Sequence, residues 1–334
     1  MNKSCLLVII FLLAVLYPCL GQNFGESYIN GIKRADSLFH VGMYKSAAES
    51  YNSAFIGNGG LAYLPDRYTA ACAWSMAQQS DSAFYHLFRI IERVKYDELE
   101  KVQSDTSFQN LHNDPRWSQA ISLIKNNKES KEAKYNRPLI AVLDTVFRED
   151  QRYRLTVNDT IEKYGYGSPQ IRKLDSLIIK SDSVNLIIVK RILDNNGWLG
   201  PDIIGNHGNT LFLVIQHSDL DTQVKYLPVM REAVKRNAAE SSSLALLEDR
   251  IALAQGKCQI YGSQIGLDKK TNRYYVLPLS DPTHVDERRK GVDLGPIKEY
   301  VTLWKITWNQ DQYNQQLQKI LGKKALKKYE CFNK

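Results

Sequence analysis

Cysteine is scarce: five in 334 residues, of which Cys5 and Cys19 fall in the first twenty. The three that follow, Cys72, Cys258 and Cys331, are an odd set with spacings that match no zinc pattern. They exclude a dense disulfide scaffold and a cysteine-based metal module. Cys72 lies in the apolar stretch AACAWSMA and reads as a small buried hydrophobe. Long hydrophobic runs are equally scarce. Cys5 to Tyr17 is the one extended run, and thirteen residues fall short of the ~20 needed to span a bilayer. Nucleotide signatures are missing as well. GNHGNT lacks the lysine of a phosphate loop, and YGSQIG has the wrong spacing for a nucleophile elbow. No HExxH is present, so no metal or organic cofactor is expected.

What is there begins with a leader. Lys3 precedes the apolar run, and Cys19 and Gly21 are small residues before a cut, placing cleavage between Gly21 and Gln22. Pro18 and Tyr17 before Cys19 argue against lipidation. The expected location is therefore periplasmic or extracellular, with no stable membrane span in the mature chain. The formal net charge is +8, with late positive charge at Lys319, Lys323, Lys324, Lys327 and Lys328. These lysines read as a solvated helical tail or as an attraction to an acidic envelope component. An exported chain without a recognisable nucleic-acid module is not expected to bind nucleic acid.

The domain reading is residues 1–21 as signal peptide, 22–132 as a helical repeat domain and 133–334 as a mainly helical domain with a β-hairpin near 258–279. The fold class is mainly α. In the first half, Gly42, Tyr44, Ala47, Tyr51 and Ala54 have the spacing G-x-Y-x2-A-x3-Y-x2-A. That order resembles a tetratricopeptide repeat, in which a small residue such as Ala47 lets paired helices approach. A degenerate second unit places Ala83, Leu87 and Ile90 in the positions of Ala47, Tyr51 and Ala54, with Gln78 or Gln79 where the turn glycine would stand. The resemblance implies a partner-binding half that takes a protein or peptide. Asp105, Phe108, Leu111, Asp114, Pro115 and Trp117 read as its closing segment, with caps before each short helix.

In the second half, Leu139, Val142, Leu143, Val146, Phe147 and Leu155 mark an apolar helical face, with Asp150 at its edge. Ser168 before Pro169 starts a long helix that ends at DNNG. Helices follow around 210–217, 222–235 and 242–255. Cys258–Ile265 and Arg273–Leu279 read as the two strands of a hairpin.

The candidate catalytic residues are His217, Asp150 and Asp249. His217 ends the apolar run LFLVIQH, where it either closes a helix or acts as a base oriented by Asp150, Asp249 or Asp219. The candidate binding residues are Gln151, Trp198, Arg250, Gln259, Tyr261, Gln264 and Arg289. Asp249–Arg250 is either a buried bridge or one wall of a polar cleft. Trp198, between loop glycines, either stacks on a ligand or covers the core. Strand alternation would send Gln259, Tyr261 and Ser263 to one face. Four polar residues set in apolar segments are satisfied most economically together, so Gln151, His217, Arg250 and Gln264 are expected around one pocket.

The motifs DQ (150–151), GWxG (197–200), QHxD (216–219), DR (249–250), QxYG[ST]Q (259–264) and the pair Arg288–Arg289 resemble those of a family of secreted bacterial domains of unknown function. The resemblance covers roughly residues 137–300 and implies no activity. Two functions follow from the residues: an exported binding protein with a partner-binding repeat half, or an exported hydrolase built on His217 and a carboxylate.

Overall fold

A computed structural model describes residues 24–268, 271 and 273–332. The leader and its cut lie outside the described residues. The described chain falls into two compact units, which meet in sequence between Lys134 and Tyr135.

The N-terminal unit is all helical: α1 Glu26–His40, α2 Tyr44–Gly57, α3 Leu64–Met76, α4 Ser80–Arg93, α5 Leu99–Ser104 and α6 Pro115–Glu132. Small residues let its helices approach. Ala47, Ala48, Ala70, Ala71, Ala73 and Ala83 are fully buried, and a Cβ built on Gly31 would lie 2.9 Å from that of Ala54. The two helix pairs turn in the same way. Gly42 donates to Phe39 and Met43 to Leu38, while Gln78 donates to Ser75 and Gln79 to Trp74. Both turns need one left-handed residue, which is Gly42 at φ 78° in the first and Gln78 at φ 57° in the second. Asp105 and Asp114 cap the 3-10 turn Thr106–Leu111 and α6 through Ser107 N and Arg116 N. Cys72 is buried and unpaired.

The C-terminal unit contains α7 Arg137–Arg152, α8 Val157–Tyr164, α9 Pro169–Asn196, α10 Pro201–Ile204, α11 Gly208–His217, α12 Leu220–Lys235 and α13 Ser241–Ala254. A hairpin follows, β1 Ile265–Asp268 antiparallel to β2 Arg273–Val276, then α14 Val285–Lys290, α15 Ile297–Val301, α16 Gln310–Leu321 and α17 Lys323–Leu326. The chain is thus mainly α with one small hairpin. Ser168 caps α9 through Ile171 N. α11 packs among α7, α9, α12 and α13, and every residue from Thr210 to Gln216 is buried. Such a helix delivers its last side chain, His217, directly from the core.

Three features differ from the sequence reading. The inward face of α7 is Leu143, Val146 and Asp150, at helical spacing; Val142, Phe147 and Leu155 are exposed at 41%, 38% and 65%. A carboxylate therefore occupies a core position that apolar patterning assigned to its neighbours. The first strand starts at Ile265, seven residues later than expected, because residues 258–264 fold as a side-chain-braced loop. Finally, Cys258 and Cys331 form a disulfide. It ties the end of the chain to the start of that loop and closes 73 residues, worth about 4 kcal/mol on a chain-entropy account. A cross-link contributes to this fold after all.

Candidate active site

Asp150 is 1% exposed, a costly position for a charge unless its oxygens are matched. They are. Oδ1 accepts from His217 Nδ1 at 3.0 Å and lies 3.4 Å from Arg154 Nη1, and Oδ2 accepts from Gln151 Nε2 at 2.7 Å. Arg154, just beyond α7, anchors itself through Nη1 on the Asp150 carbonyl at 2.7 Å and reaches Asp182 Oδ2 on α9 at 2.7 Å through Nη2. Two helices and the end of a third thus converge on one Asp–His–Arg–Asp cluster. Arg250 of α13 stands close enough for its charge to act on His217. The cluster is not sealed: the His217 and Asp182 side chains keep 11% and 19% exposure.

The environment sorts these groups by protonation. Burial holds the His217 ring below its ordinary pKa of 6.5, against the pull of Asp150. A neutral ring that donates from Nδ1 to Asp150 carries its lone pair on Nε2. Burial would raise Asp150, but the His217 hydrogen bond, the nearby charges of His217 and Arg154 and the Gln151 hydrogen bond outweigh it, so its carboxyl sits below the usual range. Asp182 goes the other way, raised by burial despite Arg154. Burial, then the charge of Arg154, lowers Arg250 to about 10, which leaves it cationic at neutral pH. Two carboxyl groups pushed apart beside a neutral imidazole form an arrangement suited to acid–base work.

Asp150, Asp182 and His217 each offer a ligand atom, all within 4.8 Å of one another, and are the group among the described residues that could hold a metal ion. Arg154 already lies against both carboxylates, so a cation there would compete with a guanidinium for the same oxygens.

The other motif residues build a different structure. Asp249 is fully buried, and its carboxylate accepts from Ile260 N at 2.6 Å, Tyr261 N at 3.0 Å and Ser263 N at 3.0 Å. It clamps the loop and does not orient His217. Gln259, also fully buried, donates to Gln264 O and Leu277 O and accepts from Gln264 N. The Gln264 amide donates to Ser263 Oγ at 3.0 Å. Arg289 donates to Tyr261 O and Gly295 O and lies over the Tyr300 ring. Gly262 takes φ 70°, and a Cβ there would lie 2.6 Å from Ile297 Cδ1. Strand alternation across Gln259–Gln264 is replaced by this clamp, which buries Gln259, Ser263 and Gln264 together and leaves Ile260 40% exposed.

Of the four residues expected to share a pocket, Gln151 and His217 meet on Asp150, Arg250 acts on His217 through its charge without a bond to the cluster, and Gln264 spends its amide on the clamp. Tyr261 contributes its backbone to the clamp. Trp198 is 1% exposed and part of the core, so its faces are covered by protein instead of being offered for stacking. Asp219 caps α12 through Thr222 N at 2.8 Å and is not the partner of His217.

Asp182 and the bridging role of Arg154 escaped the sequence reading. The signal for Asp182 was its position in the buried stripe Ile178, Asn185, Val189 and Ile192 of α9, where an acidic side chain needs an explanation. Arg154 stands four residues after Asp150, a spacing that by itself fits an ordinary surface ion pair.

A family model described as a family of unknown function (DUF6624) matches residues 144–313, about half of the chain. No curated protein and no solved structure matches it.

Proposed function

The chain belongs to that family of unknown function, and from this premise we propose that its C-terminal unit is a hydrolase whose general base is His217. The observation that carries the reading is the 3.0 Å contact from His217 Nδ1 to a buried, ionised Asp150. Asp150 fixes the tautomer and stabilises the imidazolium formed when Nε2 takes a proton from water. The resulting hydroxide adds to an acyl or phosphoryl centre. The bond from that centre to the departing group then breaks, and the imidazolium returns the proton from Nε2 to the departing group, which leaves His217 neutral again. Arg154 and Gln151 hold the two carboxylates in place.

Full-length protein assayed on chromogenic carboxylic and phosphoric esters is expected to turn over at least one class. His217→Asn should reduce that rate by ~10²–10⁴-fold. The base works only when neutral, so activity is lost as pH falls through the His217 pKa, on a limb centred below 6.5. Equal rates for wild type and His217→Asn, or no turnover by folded wild type, would contradict the assignment.

A second reading concerns the N-terminal unit, which we propose as a partner-binding module of tetratricopeptide type. The matching turns of its two helix pairs favour this, as does a groove of about 540 Å³ lined by Ser27, Arg34, Leu38, Ser46, Glu49 and Ser53. Its expected partner is a protein or peptide. Export to the periplasm or beyond is the matching location, supported by the leader sequence and by a disulfide suited to an oxidising compartment.

A further inference from the structure

Arg250 is the cation of the site that the protein leaves unanswered. Its Nε and Nη2 are buried, and among the described residues neither has a hydrogen-bond partner. These two nitrogens share one edge of the guanidinium plane, the edge that pairs with two oxygens of a carboxylate or phosphate. Among the described residues, no carboxylate is bonded to this edge. Asp249, the preceding residue, is turned onto the loop amides. Asp150 serves His217, Gln151 and Arg154; Asp182 gives Oδ2 to Arg154, and its buried Oδ1 is not bonded to Arg250. The Tyr300 phenol near it supplies no compensating charge, because burial holds it protonated and it donates its hydroxyl to Ser263 O. A buried donor pair with no acceptor is a free-energy cost that calls for a bound partner, and the planar two-donor edge fits an oxyanion. The charge of Arg154 acts on Arg250 as well, which favours a negative partner there still further.

We propose that the Nε/Nη2 edge of Arg250 is a bidentate receptor for an oxyanion, the carboxylate or phosphate of the molecule on which His217 acts. The identity of that molecule as a substrate rests on the hydrolytic reading; the receptor stands on Arg250 itself. The substrate class becomes anionic esters or amides, held by their charged group while His217 directs water at the neighbouring bond.

The test uses full-length protein with ¹⁵N-labelled arginine, titrated with inorganic phosphate or with acetate, against chloride at matched ionic strength. The Arg250 Nε–H resonance is expected to shift saturably with one oxyanion, at millimolar concentration for so small a probe. Preference for phosphate assigns a phosphorylated substrate, and preference for acetate a carboxylated one. Arg250→Lys, whose ammonium cannot make the two-point contact, should weaken binding by about tenfold or more. His217→Asn should keep the binding, which separates the receptor from the hydrolytic reading: binding by a protein that hydrolyses nothing would sink the latter alone. No shift with either oxyanion, the same shift with chloride, or undiminished binding by Arg250→Lys overturns the receptor. Should Arg250→Lys fail to fold, the wild-type resonance still decides.

Discussion

Replacing Asp249 with alanine will destabilise the C-terminal unit by about 3–5 kcal/mol, among the larger effects a single residue produces. The carboxylate takes three backbone N–H groups of one short loop, at 2.6 to 3.0 Å, in a fully buried position. Removing it strands three donors where water does not reach, and each stranded donor costs ~1–3 kcal/mol before relaxation. Asp249→Asn keeps the shape but turns an NH₂ toward groups that also donate, so it should recover only part of the loss. Urea unfolding of the full-length chain, followed through the amide protons of residues 258–264, measures both. A loss below about 1 kcal/mol for Asp249→Ala would mean that the loop is held by Gln259 and Arg289 without the carboxylate.

The second large effect is acid sensitivity of the N-terminal unit. His86 is 1% exposed, between Asn52 Oδ1 at 2.9 Å from Nε2 and Arg67 Nη1 at 3.3 Å from Nδ1. A neutral ring satisfies both, donating to Asn52 and accepting from Arg67. Burial, then the charges of Arg67 and Arg89, lowers its pKa from 6.5 to about 4. The unfolded chain therefore binds this proton more readily than the folded one. The associated stability is complete above 6.5, falls as pH drops through the window from 6.5 to about 4, and amounts to about 3 kcal/mol once fully lost. Asp66, whose carboxyl burial raises, works in the opposite direction, so the comparison must be with a variant. His86→Gln can donate and accept without titrating. Hydrogen exchange of the α4 amides in the full-length chain should show a steep acid loss for wild type and a flatter one for His86→Gln. Parallel profiles would remove His86 as the cause.

These two sites show where sequence was sufficient and where it was not. Helix positions followed from periodicity and caps: Ser168 with Pro169, and Asp114 with Pro115, mark starts that the structure retains. The loop 258–264 looked like a strand because Ile260 and Tyr261 carry β preference. Its conformation depends on a carboxylate from α13, a non-local partner that no local pattern encodes. The α7 face was misplaced for a related reason. Hydrophobic periodicity has no way to count Asp150 as inward-facing until His217 and Arg154, from elsewhere in the fold, neutralise the cost of burying it. Polar residues in apolar surroundings did flag Asp150, His217 and Arg250, but the partner each received was a matter of tertiary arrangement. Asp219 lies two residues from His217 and caps a helix; Asp150 lies 67 residues away and holds the ring.

The most direct measurement of the central claim is the protonation state of the His217 ring, by long-range ¹H–¹⁵N NMR of the full-length protein across pH 4 to 8. A neutral ring is expected at pH 7, protonated on Nδ1 with Nε2 bare, with a titration midpoint below 6.5. An imidazolium at pH 7, or a neutral ring protonated on Nε2, would deprive the site of its base and contradict the account.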